Sequence, residues 1–307
     1  MPKAVERITD LIGDTPAVKI NRLIGSNDAE LYVKLEFLNP SRSVKDRAAS
    51  HMIAAAERSG SLKPGGVIIE PTSGNTGIGI AMTAAAKGYR AILVMPDNMS
   101  KERINLLKAY GAEVVLTPAE QRMPGAIRKA VEIHADIPNS FVPQQFENGA
   151  NPDVHRVTTA PEILEQMDGR LDAFVATSGT GGTITGTGEA LKAVLPNLRV
   201  IVVEPKGSPV LSGGRPGPHQ LVGTSPGFIP RILNQAVYDE ITQVSDEDAI
   251  DTMRKLARLE GILVGPSAGA SVWAGLQIAN KLGKGHRVLC IAPDTGERYL
   301  SMGIFDI

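Results

Sequence analysis

The chemistry of this sequence can be organised around Lys45. It sits in the stretch from Asn39 to Ala49, Asn-Pro-Ser-Arg-Ser-Val-Lys-Asp-Arg-Ala-Ala. An alternating apolar run, Leu31 to Glu36, precedes it and reads as a strand. Val44, Ala48, Ala49, Met52, Ile53 and Ala56 then recur at helix-face spacings. Ser43 and Asp46 form an S-x-x-D capping box, which makes Ser43 the expected N-cap and puts Lys45 in the first helical turn. That end of a helix is positive, so a cation is disfavoured there. A neutral amine is the form that makes a Schiff base. On this stretch alone a solvated surface lysine is the simpler reading; the glycine-rich loops elsewhere change it.

Three loops between strand and helix patterns carry further chemistry. Pro71-Thr72-Ser73-Gly74-Asn75-Thr76-Gly77 offers hydroxyls and backbone amides where open α/β sheets bind ligands. It suits a carboxylate; a plain strand–helix turn is the alternative. Ser178-Gly179-Thr180-Gly181-Gly182-Thr183 opens a helix after a strand and is a phosphate cradle by type. It lacks the lysine of a Walker A loop and fails G-x-G-x-x-G, because the sixth position counted from Gly179 is Ile184. Glu204, ending the next strand, mimics the acidic residue of a dinucleotide site, so an NAD-dependent dehydrogenase is an alternative. Gly265-Pro266-Ser267-Ala268-Gly269 matches the G-x-S-x-G of a hydrolase nucleophile elbow. That fold needs an acid and then a histidine after the serine. The only histidine after Ser267 is His286, with no Asp or Glu between them, so the triad cannot be completed. Gly223-Thr224-Ser225-Pro226-Gly227 also matches, but without a strand before it or a helix after it. The five histidines show no zinc-type spacing, and no metal site is expected. An amine at a helix start, an anion cradle, a hydroxyl-rich loop and an isolated serine at a strand end fit one cofactor. Pyridoxal 5'-phosphate needs an amine for its aldehyde, a cradle for its phosphate and a partner for its pyridine nitrogen.

The elements that must position these residues follow from a chain of 307 residues, 42% hydrophobic and 21% charged, which suits one large α/β unit or two domains. Short apolar runs alternate with helical patterns along most of the chain, which implies a parallel sheet with helices on both faces. Strands are expected at 67–70, 89–95, 113–116, 171–176, 199–204 and 287–292, with a short one at Phe141. Helices are expected at 78–87, 125–134, 152–167, 183–194, 246–260 and 267–282, with another running from a Ser100 cap to Gly111. The long loop 205–231, rich in Gly and Pro, exceeds ordinary connection lengths. A polar stretch from Gln144 to Asn151 is the expected domain boundary. The net charge of −1 gives no argument for nucleic acid or an anionic membrane as partner. The single cysteine, Cys290, lies in an apolar run and reads as a small buried hydrophobe. An N-terminus without an apolar core, and no apolar run of spanning length, point to a cytoplasmic protein.

These motifs, taken together and in order, resemble the cysteine synthase (O-acetylserine sulfhydrylase) family. The resemblance runs through Ile12-Gly13-Asp14-Thr15-Pro16, Ser43-Val44-Lys45-Asp46-Arg47, Pro71 to Gly77, Met95-Pro96-Asp97-Asn98-Met99-Ser100, Gln144-Gln145-Phe146, Gly179 to Thr183 and Gly296-Glu297-Arg298-Tyr299-Leu300-Ser301, and ends at Ile304-Phe305. It implies two three-layer α/β domains of the tryptophan-synthase-β-like type, that is, fold type II of the pyridoxal phosphate enzymes. The nominal domains are 1–145, with Lys45 and the substrate loop, and 146–307, with the phosphate loop; part of the N-terminal segment is expected on the second.

The resemblance also implies roles. Lys45 holds the cofactor as an internal aldimine and then serves as the base for the Cα proton. Asn75 bonds the ring hydroxyl, Gly179, Thr180, Gly181, Gly182 and Thr183 bind the phosphate, and Ser267 meets the pyridine nitrogen. Thr72, Ser73, Asn75, Thr76 and Gln145 face the substrate, whose carboxylate is held by Thr72, Ser73, Thr76 and Gln145. Phe146 lines the pocket and Gly223 borders it. The implied reaction replaces the acetoxy group of O-acetyl-L-serine by sulfide through an aminoacrylate. Cystathionine β-synthase and O-phosphoserine sulfhydrylase are alternatives on the same fold. A homodimer is implied, and the C-terminal peptide of serine acetyltransferase is a partner some family members take. Two departures stand out: Pro266 replaces a common Ile or Val, and Asp294-Thr295 replaces a commoner pair of serines. The glycine cradle and Pro216-Gly217-Pro218-His219 lean towards the A-type isozyme, Met95 to Ser100 towards the B-type.

Overall fold

A computed structural model of the chain describes residues 4–72 and 74–306. In chain order its strands are β1 (Ala17–Lys19), β2 (Glu30–Leu35), β3 (Val67–Pro71), β4 (Arg90–Pro96), β5 (Glu113–Thr117), β6 (Ser140–Phe141), β7 (Ala173–Thr177), β8 (Arg199–Pro205), β9 (Glu240–Val244) and β10 (Arg287–Ala292). They form two sheets, one of four strands in the order β5-β4-β3-β6 and one of six in the order β1-β2-β10-β7-β8-β9. All pairings are parallel except that of β1 with β2. The chain divides accordingly into two compact units, Met1–Ile12 with Lys45–Asn151, and Gly13–Val44 with Pro152–Ile307.

The first unit is built on β3 and β4, whose residues are apolar on both faces, as a strand covered on both sides requires. Ile68 and Leu93 pack towards the helices Lys45–Ser59 and Asn75–Lys87; Val67, Ile69, Ile92 and Val94 pack on Ala126 and Ala130 of the helix Arg122–Asp136. Gly88, in the left-handed region at φ +75°, ends the Asn75–Lys87 helix where the sequence placed its stop. The polar stretch from Gln144 to Asn151 stays with this unit, so the division falls after Asn151 and not after 145. The cause is local: the Gln144 and Gln145 amides both donate to Glu70 at the end of β3, and Asn151 Nδ2 donates to the Gln145 carbonyl at 2.8 Å.

In the second unit the Pro266–Leu282 helix lies on β7 and β10. Ala268, Ala270, Val272, Ala274 and Ile278 pack in one cluster with Val175, Val288 and Cys290. Gly275 is required there, because a Cβ would stand 2.2 Å from Cys290 Sγ. The thiol is buried and its pKa is pushed up to about 12, which leaves it inert at neutral pH. Pro161, awkward inside a predicted helix over 152–167, falls in the first turn of Ala160–Gln166, directly after a π-helical turn at His155–Thr159. Two strands were not expected from the sequence. β1 is three residues long, too short for a period, and β9 pairs only with β8 at the sheet edge. Among the described residues no helix is long and apolar enough to cross a membrane.

Segment 13–44 is fastened to the second unit by a buried lysine. Lys34 on β2 has a fully buried side chain; its Nζ lies 2.7 Å from Glu162 and donates to the Thr15 carbonyl (2.8 Å) and to Gln166 Oε1 (3.1 Å). Removing one partner of such a pair leaves the other charge buried and uncompensated. Lys34→Met is therefore expected to destabilise the fold by about 3–5 kcal/mol, measured as a lower unfolding midpoint in guanidinium chloride.

Candidate active site

The candidate residues fall into one group on each unit. In the first unit the helix Lys45–Ser59 begins at Lys45 itself. Val44 is the residue directly before the helix, and the expected N-cap, Ser43, stands one position earlier, in a backbone bridge with Asp294 of the second unit's own fold. The Asn75–Lys87 helix runs against this one at close range. A Cβ on Gly79 would stand 3.0 Å from Ala49 Cβ and 3.1 Å from the Lys45 carbonyl oxygen, so glycine sets the spacing between the lysine's helix and that of Asn75.

Asn75 is the first residue of its helix. Gly74 precedes it as N-cap and has no side chain to cap the first turn. A helix start of this kind suits an anion at its amides and its positive dipole end. Thr72 and Thr76 are buried, and Thr72 Cγ2 packs against Gly77, where a Cβ would come within 2.8 Å. The Thr76 hydroxyl donates to Gln145 Oε1 at 2.6 Å, bringing together two of the residues expected to hold a carboxylate from positions 69 apart in sequence. Phe146 follows, half-buried. Ser73 lies outside the described residues.

In the second unit β7 ends at Thr177 and the Gly182–Val194 helix starts five residues later, with Gly181, which has no side chain, as its N-cap. Glycine is required at two places in the turn between them. Gly181 has φ +85°, and a Cβ on Gly179 would stand 2.1 Å from the Gly223 carbonyl oxygen. The expected pocket residue Gly223 thus lies directly on the cradle, held there by Ser225 N–H donating to Ser178 O at 2.9 Å. Thr180 Oγ1 accepts from Gly182 N at 3.3 Å. Ser267 is the second residue of its helix, after Gly265 as N-cap and Pro266 at the first position, where a fixed φ suits a helix start. It is 4% exposed, and its hydroxyl has no hydrogen-bond partner among the described residues. The departures from the family pattern have local uses. Asp294 accepts the Tyr299 hydroxyl at 2.5 Å, and Thr295 caps the Gly296–Met302 turn through Glu297 N.

Two residues were missed by sequence reasoning. His155 is buried in the π-helical turn, with Nδ1 2.8 Å from Thr159 Oγ1 and Nε2 3.3 Å from Thr183 Oγ1 of the cradle. Glu70 is buried at the end of β3. Neither stood in a motif; the first was one of five scattered histidines and the second read as the end of a strand. The dinucleotide alternative meets an obstacle in Glu204. Its carboxylate is taken up by Leu211 N (2.8 Å), Ser212 N (3.2 Å) and the Ser212 hydroxyl, which fold the following loop back on it.

Each unit carries residues that fit a part of pyridoxal phosphate: on the second, a cradle that a Cβ would fill and a buried hydroxyl with no partner among the described residues, and on the first, a lysine at a helix start. The sequence matches the family described as "Pyridoxal-phosphate dependent enzyme" over residues 8–294. The chain belongs to that family. It is 66% identical over 308 aligned residues to a "Probable cysteine synthase" of Bacillus subtilis, covering 99% of each chain. Its fold is that of the cysteine synthase of Entamoeba histolytica, with a TM-score of 0.96 at 40% identity over 99% of this chain and 92% of that one. It is equally that of an O-acetylserine-dependent cystathionine β-synthase from Helicobacter pylori, with a TM-score of 0.93 at 41% identity over 99% and 100%.

The cradle yields a direct test. Gly179→Ala is expected to weaken pyridoxal phosphate binding at least tenfold, about 1.4 kcal/mol, in a titration of the cofactor-stripped protein. Its far-UV circular dichroism should stay that of the wild type.

Proposed function

We propose that this chain is a cysteine synthase, which replaces the acetoxy group of O-acetyl-L-serine by sulfide and releases L-cysteine and acetate. The observation that supports the reading is the Thr76–Gln145 pair at a helix start whose N-cap is glycine, an arrangement suited to an amino-acid carboxylate, on the same unit as Lys45. The names of its relatives support it.

When bound, pyridoxal phosphate supplies the electron sink that makes an amino acid's α-hydrogen acidic and lets a β-substituent leave. The chain's own residues do the rest. Thr72, Ser73, Thr76 and Gln145 hold the substrate carboxylate and so orient the α-hydrogen. Lys45 Nζ takes that proton and later returns it to the same carbon. Gly179 to Thr183 hold the phosphate through backbone amides, and Asn75 meets the ring hydroxyl. Ser267 meets the ring nitrogen with a neutral hydroxyl. Unlike a carboxylate it does not force a proton onto that nitrogen, which favours loss of a β-substituent over transamination. Phe146 lines the first unit's share of the site, and Gly223 borders the phosphate cradle on the second. The working form in this reading is a cytoplasmic homodimer.

A second reading, acceptance of homocysteine as nucleophile, is favoured by the likeness to the Helicobacter pylori protein. Steady-state assays with O-acetylserine and either sulfide or homocysteine separate the two. The expected result is cysteine formation that exceeds cystathionine formation, and Lys45→Ala is expected to lose more than about 100-fold in rate while keeping its fold. Turnover by Lys45→Ala at the wild-type rate would sink the assignment.

A further inference from the structure

We infer that Glu70 is a positioning residue of the amino-acid site, clamping the backbone of Gln144 and Gln145 so that the Gln145 carboxamide is held on Thr76. The inference deepens the functional reading above and rests on it for what the site binds.

Glu70 is the penultimate residue of β3 and is 1% exposed. Its Oε2 accepts from Gln144 N at 3.1 Å and its Oε1 from Gln145 N at 3.4 Å. Two successive amides converging on one carboxylate form a backbone nest. The turn needs such a hold. Gln144 has φ +56°, a region that favours glycine, and a side chain persists there only where its surroundings over-determine it. The far side of the turn is held by its carbonyls. Gln144 O accepts from Glu147 N and Asn148 N at 2.9 and 3.0 Å, and Gln145 O accepts from Asn151 Nδ2 at 2.8 Å. Glu70 supplies the matching hold on the amides.

The clamp reaches the site through one side chain. Gln145 Oε1 is occupied by the Thr76 hydroxyl, so its carboxamide has only Nε2 left for Glu70, and the Gln145 side chain does act on the carboxylate in the direction of ionisation. The groups that hydrogen-bond Glu70 are therefore donors, and none of them is charged. β4 places Leu93 opposite it, and β6 contributes Ser140 and Phe141. The turn that binds it acts through the amides and the carboxamide alone. The charged groups on the helices that cover the sheet are Lys45, Asp46, Arg47, His51, Glu57 and Arg58 on the first, Lys87 on the second, and Arg122, Arg128, Lys129, Glu132, His134 and Asp136 on the third.

Burial without a cation pushes the Glu70 pKa up to about 7, against the pull of its three donors. The folded value lies above the unfolded one. The stability this group contributes is therefore present in full below about pH 4.5 and is lost as pH rises through about 7. The ionised form is also the stronger acceptor for the two amides. Raising the pH through neutrality should thus tighten the turn while costing global stability.

The test compares wild-type holoenzyme with Glu70→Gln and Glu70→Asp. In Glu70→Gln one acceptor oxygen becomes an NH2 group aimed at a backbone N–H. The expected result is a KM for O-acetylserine raised about tenfold, with the KM for sulfide and the cofactor's visible band unchanged. Glu70→Asp, which keeps the charge, should recover part of the loss. The second readout needs no turnover: between pH 6 and 8.5 the melting temperature of the wild type should fall more than that of Glu70→Gln. A wild-type KM in Glu70→Gln, an equal rise of both KM values, or parallel melting profiles would each overturn the inference. A wild type that ignores O-acetylserine would instead overturn the functional reading, and the melting profiles would still decide whether Glu70 titrates as the clamp requires.

Discussion

Everything assigned to this chain depends on the backbone at Lys45 being fixed from both sides. Upstream, Glu36 accepts the Thr15 hydroxyl at 2.7 Å and the Asn39 carboxamide at 2.9 Å, and Asn39 Oδ1 accepts from Gly13 N at 2.9 Å. Val44 N then donates to the Pro293 carbonyl at 2.8 Å, just after β10. One residue later the chain belongs to the first unit, where the lysine's helix is set against the Asn75–Lys87 helix at the spacing Gly79 allows. A lysine has four rotatable bonds, and its amine can be aimed only if the Cα that carries it is not free to move. Within the first unit the packing of its helix on the Asn75–Lys87 helix provides that.

Two helix starts share one device, a glycine as N-cap, at Gly74 before Asn75 and at Gly181 before Gly182. A glycine there offers no side chain of its own to the first-turn amides, in place of the Ser, Thr, Asp or Asn that would ordinarily take one of them; at the second, Thr180 Oγ1 takes the Gly182 amide. Helix starts of this kind are suited to an anion. Ser267 follows a related logic. Its helix starts with Gly265 and Pro266, so the hydroxyl that follows them is positioned by rigid backbone and has no partner among the described residues.

Much of this was legible in the sequence because it is local. Strands β3, β4, β7, β8 and β10 are apolar runs bounded by turn residues, and Gly88 marks a helix end that the structure reproduces. The lysine and the three loops are contiguous motifs. What could not be read is what depends on pairs distant in sequence. Glu70 meets Gln144 across 74 residues, and Thr183 meets His155 across 28. No period or spacing encodes such meetings. For the same reason one alternating pattern could not reveal two sheets; strand order is set by which edges meet, and residues 13–44 cross to the later half of the chain through Lys34 and its partners.

The account stands on pyridoxal phosphate held by Lys45 and reacting with a β-substituted amino acid. The visible absorption spectrum of the purified protein tests this most directly, recorded alone, after O-acetylserine and after sulfide. The account predicts a yellow protein whose band shifts when O-acetylserine is added and returns when sulfide follows. A protein that stays colourless after incubation with pyridoxal phosphate, or a band that ignores O-acetylserine, would contradict it.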